Sequence, residues 1–288
     1  MSRSEGLSQD PRWRACAGRF GHRLRLVLEM IRFEHSVFAL PFALTGALLA
    51  WRESGFDTAR LGWRLGWILA AMVGARSAAM AFNRLVDAEL DARNPRTRER
   101  HLPSGLLSRG FVWAFAAVSM LVFLLAARAL NPLCFKLAPP VLALVLLYSY
   151  TKRFTTLSHL ILGLALGLAP AGAWIAMRGS LDARVLWLTA AVTLWTAGFD
   201  IIYACQDYEF DRAEGLHSYP GRLGIGAALR LSRGFHAGMV ACLLAVAASF
   251  RLGGLSLAGV AVIAALLIWE HHLVRPDDLS KVDAAFLP

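Results

Sequence analysis

Residues 83–91 read Asn83-Arg84-Leu85-Val86-Asp87-Ala88-Glu89-Leu90-Asp91, and the chain runs on through Arg93, Arg96, Arg98 and Arg100 to His101-Leu102-Pro103-Ser104-Gly105. The stretch emerges from an apolar segment, 65–82, which with its continuation is long enough for a bilayer core that takes about 20 residues. Continued as a helix, positions 83, 87 and 91 fall four apart and stack on one face. An amide and two carboxylates then line successive turns where hydrocarbon meets water. Unpaired carboxylates side by side repel, and a divalent cation is the simplest thing that relieves them.

The rest of the composition supports a membrane setting. Of 288 residues, 57% are hydrophobic and only 17% charged, with mean hydropathy +0.51. Soluble domains are about a quarter charged. The net charge of +10 and pI near 10.2 would suggest nucleic acid as partner for a soluble chain. Here the cations sit between apolar spans, where they read as a topology signal and as phosphate-binding groups, so no nucleic-acid partner is expected. Cys16, Cys134, Cys205 and Cys242 lie far apart and suggest neither a disulfide framework nor a zinc site.

Residues 1–32 form a basic amino-terminal segment with no apolar core of a cleaved signal in the first 25 residues, and 33–288 form one transmembrane domain. Apolar runs at 33–51, 65 into the Asn83 stretch, 111–130, 137–150, 160–177, 185–205, 235–250 and 255–269 predict an all-α polytopic bundle of eight spans. The amino-terminal segment and the loops after spans 2, 4 and 6 hold most of the arginine and lysine. By the positive-inside rule they are cytoplasmic. The 52–64 loop, with three arginines against Glu53 and Asp57, fits that rule least well.

A second acidic stretch closes span 6: Asp200-Ile201-Ile202-Tyr203 leads to Gln206-Asp207-Tyr208-Glu209-Phe210-Asp211. Read as one helix, Asp200, Tyr203, Asp207 and Asp211 share a stripe, and Asp207 and Asp211 repeat the four-residue step of Asp87 and Asp91. Each motif precedes a basic loop punctuated by glycine and proline. Their recurrence four spans apart predicts two pseudo-repeated four-helix units.

These residues resemble the UbiA superfamily of intramembrane prenyltransferases. The likeness rests on Asn83-x3-Asp87-x3-Asp91, Arg100-x-Leu102-Pro103-Ser104-Gly105, Tyr148-x3-Lys152-Arg153 and Asp200-x2-Tyr203-x3-Asp207-x3-Asp211, with the 30–42 segment alongside. It is strongest to the 4-hydroxybenzoate polyprenyltransferase-like branch. The resemblance implies Mg²⁺-dependent transfer of a polyprenyl group from its diphosphate to an aromatic acid, for ubiquinone or menaquinone biosynthesis. It implies one ion on Asp87 and Asp91 with Asn83 as neutral ligand, and a second on Asp207 and Asp211. Lys152, Arg153, Arg96 and Arg100 are the expected grip on the diphosphate, with Asp200 in the same site. Tyr203 would offer an aromatic face to the allylic cation. Arg32 and Arg100 are the positions that suggest contact with an acceptor carboxylate. The partners implied are the two substrates and the bilayer, with no obligate protein partner. The expected location is a bacterial-type inner membrane with the active site facing the cytoplasm. The family has nine spans, and 282–288 reads as the opening turn of a ninth that stops short.

Plainer readings compete. Asp87 with Arg84, or Asp211 with Arg212 and Arg222, could be ordinary ion pairs where helices reach water. Glu89 and Glu209 point off the stripes and read as solvated. His35, His101, His159 and His217 share no ligand spacing and read as loop or capping residues. An ion transporter would carry its acids near mid-membrane rather than at one mouth. A CDP-alcohol phosphotransferase would interleave its aspartates with glycine and an Ala-Arg pair, which is absent here. Within the superfamily a naphthoate, a haem or a chlorophyll precursor is an alternative acceptor.

Overall fold

The computed structural model describes residues 11–31 and 36–282. The expectations for Arg32, for His35 and for a ninth span beginning at 283–288 lie outside them. Eleven α-helices follow one another: α1 (Pro11–Met30), α2 (Ser36–Glu53), α3 (Leu61–Arg93), α4 (Arg109–Leu130), α5 (Pro132–Thr151), α6 (Ser158–Arg178), α7 (Leu186–Ala204), α8 (Tyr208–Ala213), α9 (Tyr219–Leu223), α10 (Ile225–Ser249) and α11 (Gly254–Leu273). No strand is present among the described residues. Among the described residues, seven helical segments are long and apolar enough to cross a membrane. The predicted first span corresponds to α2, whose 18 residues end on Arg52 and Glu53 and which is not among those seven.

Helix ends follow local chemistry. Ser108 caps α4 by accepting from the Phe111 N–H, and Asn131 caps α5 by accepting from the Cys134 N–H, with Pro132 supplying a preset first turn. Gly179, at φ 72°, closes α6 in a left-handed conformation that costs a glycine little.

In lipid, helices gain little from hiding apolar surface, so close backbone approach decides packing. Small residues mark each approach. A Cβ on Gly46 of α2 would lie 2.3 Å from the Pro170 carbonyl oxygen of α6, and one on Gly74 of α3 would lie 2.9 Å from the Phe123 nitrogen of α4. On α6, Gly163 and Gly167 meet Thr193 and Thr189 of α7 at 2.2–2.6 Å by the same measure. Leu48, Val118, Leu121, Leu125, Leu266 and Ile268 face outward, as lipid requires.

Two departures from the sequence expectation matter for the site. The basic amino-terminal segment contains a helix, α1, whose Val27 and Met30, with the adjoining Ile31, pack on Ala81, Leu85, Leu107, Val112 and Ala116 beneath the first acidic motif. The second motif is not one continuous α-helix. Residues Cys205–Asp207 tighten into a 3-10 turn between α7 and α8, so Asp207 and Asp211 are rotated off the stripe set by Asp200 and Tyr203.

Candidate active site

The helix through the first motif is unbroken: α3 runs from Leu61 to Arg93 and carries Asp87 and Asp91, both buried, on the face predicted for them. Glu89 and Glu209 are exposed. Each buried carboxylate is met by cations from other segments. Lys152 Nζ lies 2.9 Å from Asp87 Oδ2, and Arg153 Nη2 lies 3.3 Å from Asp87 Oδ1. Arg153 also donates to the Val86 carbonyl at 2.8 Å. Arg100 donates to Asp91 Oδ1 at 2.7 Å, while Arg84 stands 3.9 Å from Asp91 Oδ2. That second oxygen is buried and accepts no hydrogen bond.

Asn83 donates its amide N–H to Asp87 Oδ2 at 3.1 Å. The expected ligand oxygen of Asn83 therefore points away from the carboxylate, and a half-turn of the amide is needed to present it.

The two motifs meet across the bundle through the loop after α3. Asn94 donates to Asp207 Oδ1 at 3.0 Å and Arg96 Nε donates to the same oxygen at 2.9 Å. Arg96 Nη2 pairs with Asp207 Oδ2. Its Nη1 donates to the Tyr203 hydroxyl at 2.9 Å, and its guanidinium lies 5.0 Å from the centre of the Tyr203 ring. Burial opposes the charge on Arg96, but the hydrogen bonds and charge of Asp207 raise its pKa above the usual arginine value. Ser218, which caps α9, lies beside Asp211. Further ties close the same mouth: Arg93 with Glu214 at 3.0 Å, and the His217 N–H on the Lys152 carbonyl at 2.7 Å.

Asp200 is held apart from that network. Its Oδ2 lies 2.6 Å from His159 Nδ1 on α6. Tyr148 lies in the neighbourhood of Asp200, Asp87 and Arg84. The structure thus gathers Asn83, Asp87, Asp91, Arg96, Arg100, Lys152, Arg153, Tyr203, Asp207 and Asp211 at one end of the bundle, with Asp200 one level deeper.

Three residues escaped the sequence reading. Asn94 is not among the residues singled out, yet its side chain joins the loop after the first motif to Asp207 of the second. His159 looked like a capping residue, yet it is a buried partner of Asp200. Arg76 sits inside a membrane-length helix, seven residues before Asn83 and therefore on its stripe. It forms no hydrogen bond or ion pair with any described residue, and its Nε is buried. An intramembrane charge at that spacing was the signal that marked it.

Among the described residues no three carboxylate, imidazole or thiolate groups converge on one point as a self-sufficient metal site. Mg²⁺ does not require that, because it binds through one or two carboxylates together with phosphate oxygens and waters. The paired acids, and the orphan oxygen of Asp91, suit that donor pattern.

The fold and the site define a polytopic helical membrane protein whose two acidic helix ends share one mouth with basic loops. The profile of the UbiA prenyltransferase family matches residues 39–287, which include both motifs. The chain belongs to the UbiA prenyltransferase family and is a prenyltransferase. It is 31% identical over 218 residues to a 4-hydroxybenzoate octaprenyltransferase from Vibrio atlanticus, covering 74% of each chain. It is 33% identical over 213 residues to an enzyme of that name from Pseudomonas aeruginosa, covering 74% of this chain and 71% of the relative. Among solved structures, the apo form of a UbiA homologue from Aeropyrum pernix superposes with TM-score 0.80 at 36% identity, over 88% of this chain and 92% of that one. A homologue from Archaeoglobus fulgidus bound to DMAPP and Mg²⁺ shares the fold, with TM-score 0.69 at 18% identity over 91% and 94% of the two chains.

Proposed function

We propose that this protein transfers a polyprenyl group from polyprenyl diphosphate to the ring of a hydroxylated aromatic acid of the 4-hydroxybenzoate type, in the biosynthesis of a quinone. The observation that carries the reading is the mouth itself. Asp87, Asp91, Asp207 and Asp211 lie at the same end of the bundle, and Lys152, Arg153, Arg96 and Arg100 are interleaved among them.

Asp87 and Asp91, with Asn83 turned, would hold one Mg²⁺, and Asp207 and Asp211 a second. When bound, the ions neutralise charge gathering on the departing diphosphate. Lys152 and Arg153 reach the same oxygens from the loop after α5, and Arg96 and Arg100 from the loop after α3. Tyr203 sits one turn into the bundle from Asp207 and would offer its ring to the carbon that becomes cationic. The allylic carbon–oxygen bond breaks with its electron pair on the diphosphate. A ring carbon beside the hydroxyl then forms the new carbon–carbon bond, and its hydrogen leaves as a proton.

Arg76 is the group for the acceptor carboxylate. It lies seven residues, about 10 Å of helix, deeper than Asn83, and no described residue supplies it with an anion. Arg100, one of the two positions first considered for that contact, is already engaged by Asp91. The positive-inside rule, applied to the basic loops, supports a mouth that faces the cytoplasm.

The test is transfer by protein reconstituted in liposomes, with labelled polyprenyl diphosphate and either 4-hydroxybenzoate or a hydroxynaphthoate. Acceptor-dependent product that vanishes with EDTA and returns with Mg²⁺ is expected with the benzoate. Product with the naphthoate alone moves the acceptor to the naphthoate class, and no acceptor-dependent product with either acid refutes the reading.

A further inference from the structure

We propose that His159 is the positioning residue of the reaction: it fixes the Asp200 carboxylate so that the free oxygen of Asp200 receives the proton lost from the aromatic ring. The proposal rests on the aromatic-acceptor reading above.

The hydrogen bonds determine the tautomer of His159. Its Nε2 accepts the backbone N–H of Tyr219 at 3.3 Å, so the ring proton sits on Nδ1 and is donated to Asp200 Oδ2 at 2.6 Å. The Tyr219 ring stacks on the imidazole with centroids 5.3 Å apart and planes 19° from parallel. Imidazole orientation is thus held from three sides: Asp200 on α7, the backbone of α9, and the Tyr219 ring. The two partners differ in access. The His159 side chain is 5% exposed and that of Asp200 28%. One Asp200 oxygen is committed to His159, while the other has no hydrogen bond from a described residue, and the side chain keeps part of its surface exposed.

Small residues deliver this pair. His159, Gly163 and Gly167 recur every four residues on the face of α6 that touches α7, and the two glycines let the backbones approach closely enough for a 2.6 Å bond. Asp200 lies two turns deeper than Asp207, on the ring side of the diphosphate site. An anionic oxygen there, with its partner oxygen tied to a neutral donor, is suited to accept a proton from a carbon that has just become part of a cationic ring. Removing the proton restores aromaticity, the carboxylate becomes a carboxylic acid, and charge balances with no external reactant.

The experiment compares wild type, His159→Ala, His159→Asn and His159→Gln, with acceptor carrying hydrogen or deuterium beside its hydroxyl. The Asn amide nitrogen reaches the place of Nδ1, whereas the Gln amide reaches the place of Nε2. His159→Ala should lower kcat by roughly 10- to 100-fold, since a misplacement near 1 Å costs about that much, with little change in KM for the polyprenyl diphosphate. A primary deuterium isotope effect should appear in His159→Ala as proton loss becomes rate-limiting. His159→Asn should recover most of the rate and His159→Gln should not. Asp200→Ala should leave no further rate to lose when His159→Ala is added. Equal recovery by Asn and Gln, a reduced kcat without an isotope effect, or additive losses would each overturn the proposal. Wild type with no acceptor-dependent transfer would refute the proposed function itself, independently of His159.

Discussion

Replacing Gly163 with alanine should separate α6 from α7 and slow the enzyme without emptying it from the membrane. A Cβ at this position would lie 2.2 Å from the Thr193 carbonyl oxygen, 3.1 Å from its carbon and 3.3 Å from the Ala197 nitrogen. Ordinary contact begins near 3.4 Å, so the helices must part by about 1.2 Å, and the opposing atoms are backbone with no rotamer to yield. Carried one turn along α6, that shift takes the His159–Asp200 bond from 2.6 Å to about 3.8 Å, beyond hydrogen-bonding range. Overpacking of this kind costs about 1–3 kcal/mol, and the misplaced Asp200 is expected to lower kcat roughly 100-fold. The assay is prenyl transfer per molecule of purified protein, alongside thermal unfolding in the same detergent. Gly172→Ala on the same helix is the control, because nothing lies within 4 Å of its Cβ position. If Gly163→Ala matches Gly172→Ala in both rate and unfolding temperature, the close-approach argument is wrong.

Alanine at Asp87, Asp91, Asp207 or Asp211 should reduce transfer at least ~100-fold while leaving the protein in the membrane, since each removes a group that holds charge in the transition state; near-normal turnover in either pair would remove that pair from the site. The double substitution Lys152→Ala/Arg153→Ala should raise KM for the polyprenyl diphosphate about tenfold or more through lost charge-assisted bonds, and a rise confined to the acceptor constant would reverse the assignment. Arg76→Ala should do the opposite, raising the acceptor constant by a similar factor while leaving diphosphate binding measured by competition unchanged.

How far the sequence could be read depended on the range of the interaction. The eight apolar runs each correspond to helices in the structure, because hydropathy is a local property of the chain. The acidic stripe of α3 was legible because one unbroken helix carries Asn83, Asp87 and Asp91. Its counterpart was misread as continuous, because nothing in Cys205-Gln206-Asp207 announces that the backbone tightens there; no proline or glycine stands in the way. The α1 helix was hidden by its arginines, which mask the apolar contacts of Val27, Met30 and Ile31 in any average over the segment. Asn94 and His159 were passed over for a different reason. Their partners, Asp207 and Asp200, lie 113 and 41 residues away, and only the packing of the bundle makes those separations short.

The same geometry explains why acids and bases can crowd one mouth and still serve a charged substrate. In this structure Asp87 pairs with Lys152 and Arg153, Asp91 with Arg100, and Asp207 with Arg96, so three of the four carboxylates already face a cation. Under the proposed function each partner exchanges kind for kind: the carboxylates take metal ions in place of ammonium and guanidinium groups, and those cations take phosphate oxygens in place of carboxylates. The exchange keeps Asp87, Asp91 and Asp207 paired throughout, which matters because an isolated buried charge costs several kcal/mol. Lys152 and Arg153 are the side chains able to move, with 36% and 38% of their surfaces exposed against 5% for Asp87. The acids are therefore the fixed half of the site and the basic loops the mobile half. That division matches their placement, one set on a continuous helix and at the end of another, the other on the short connections between helices.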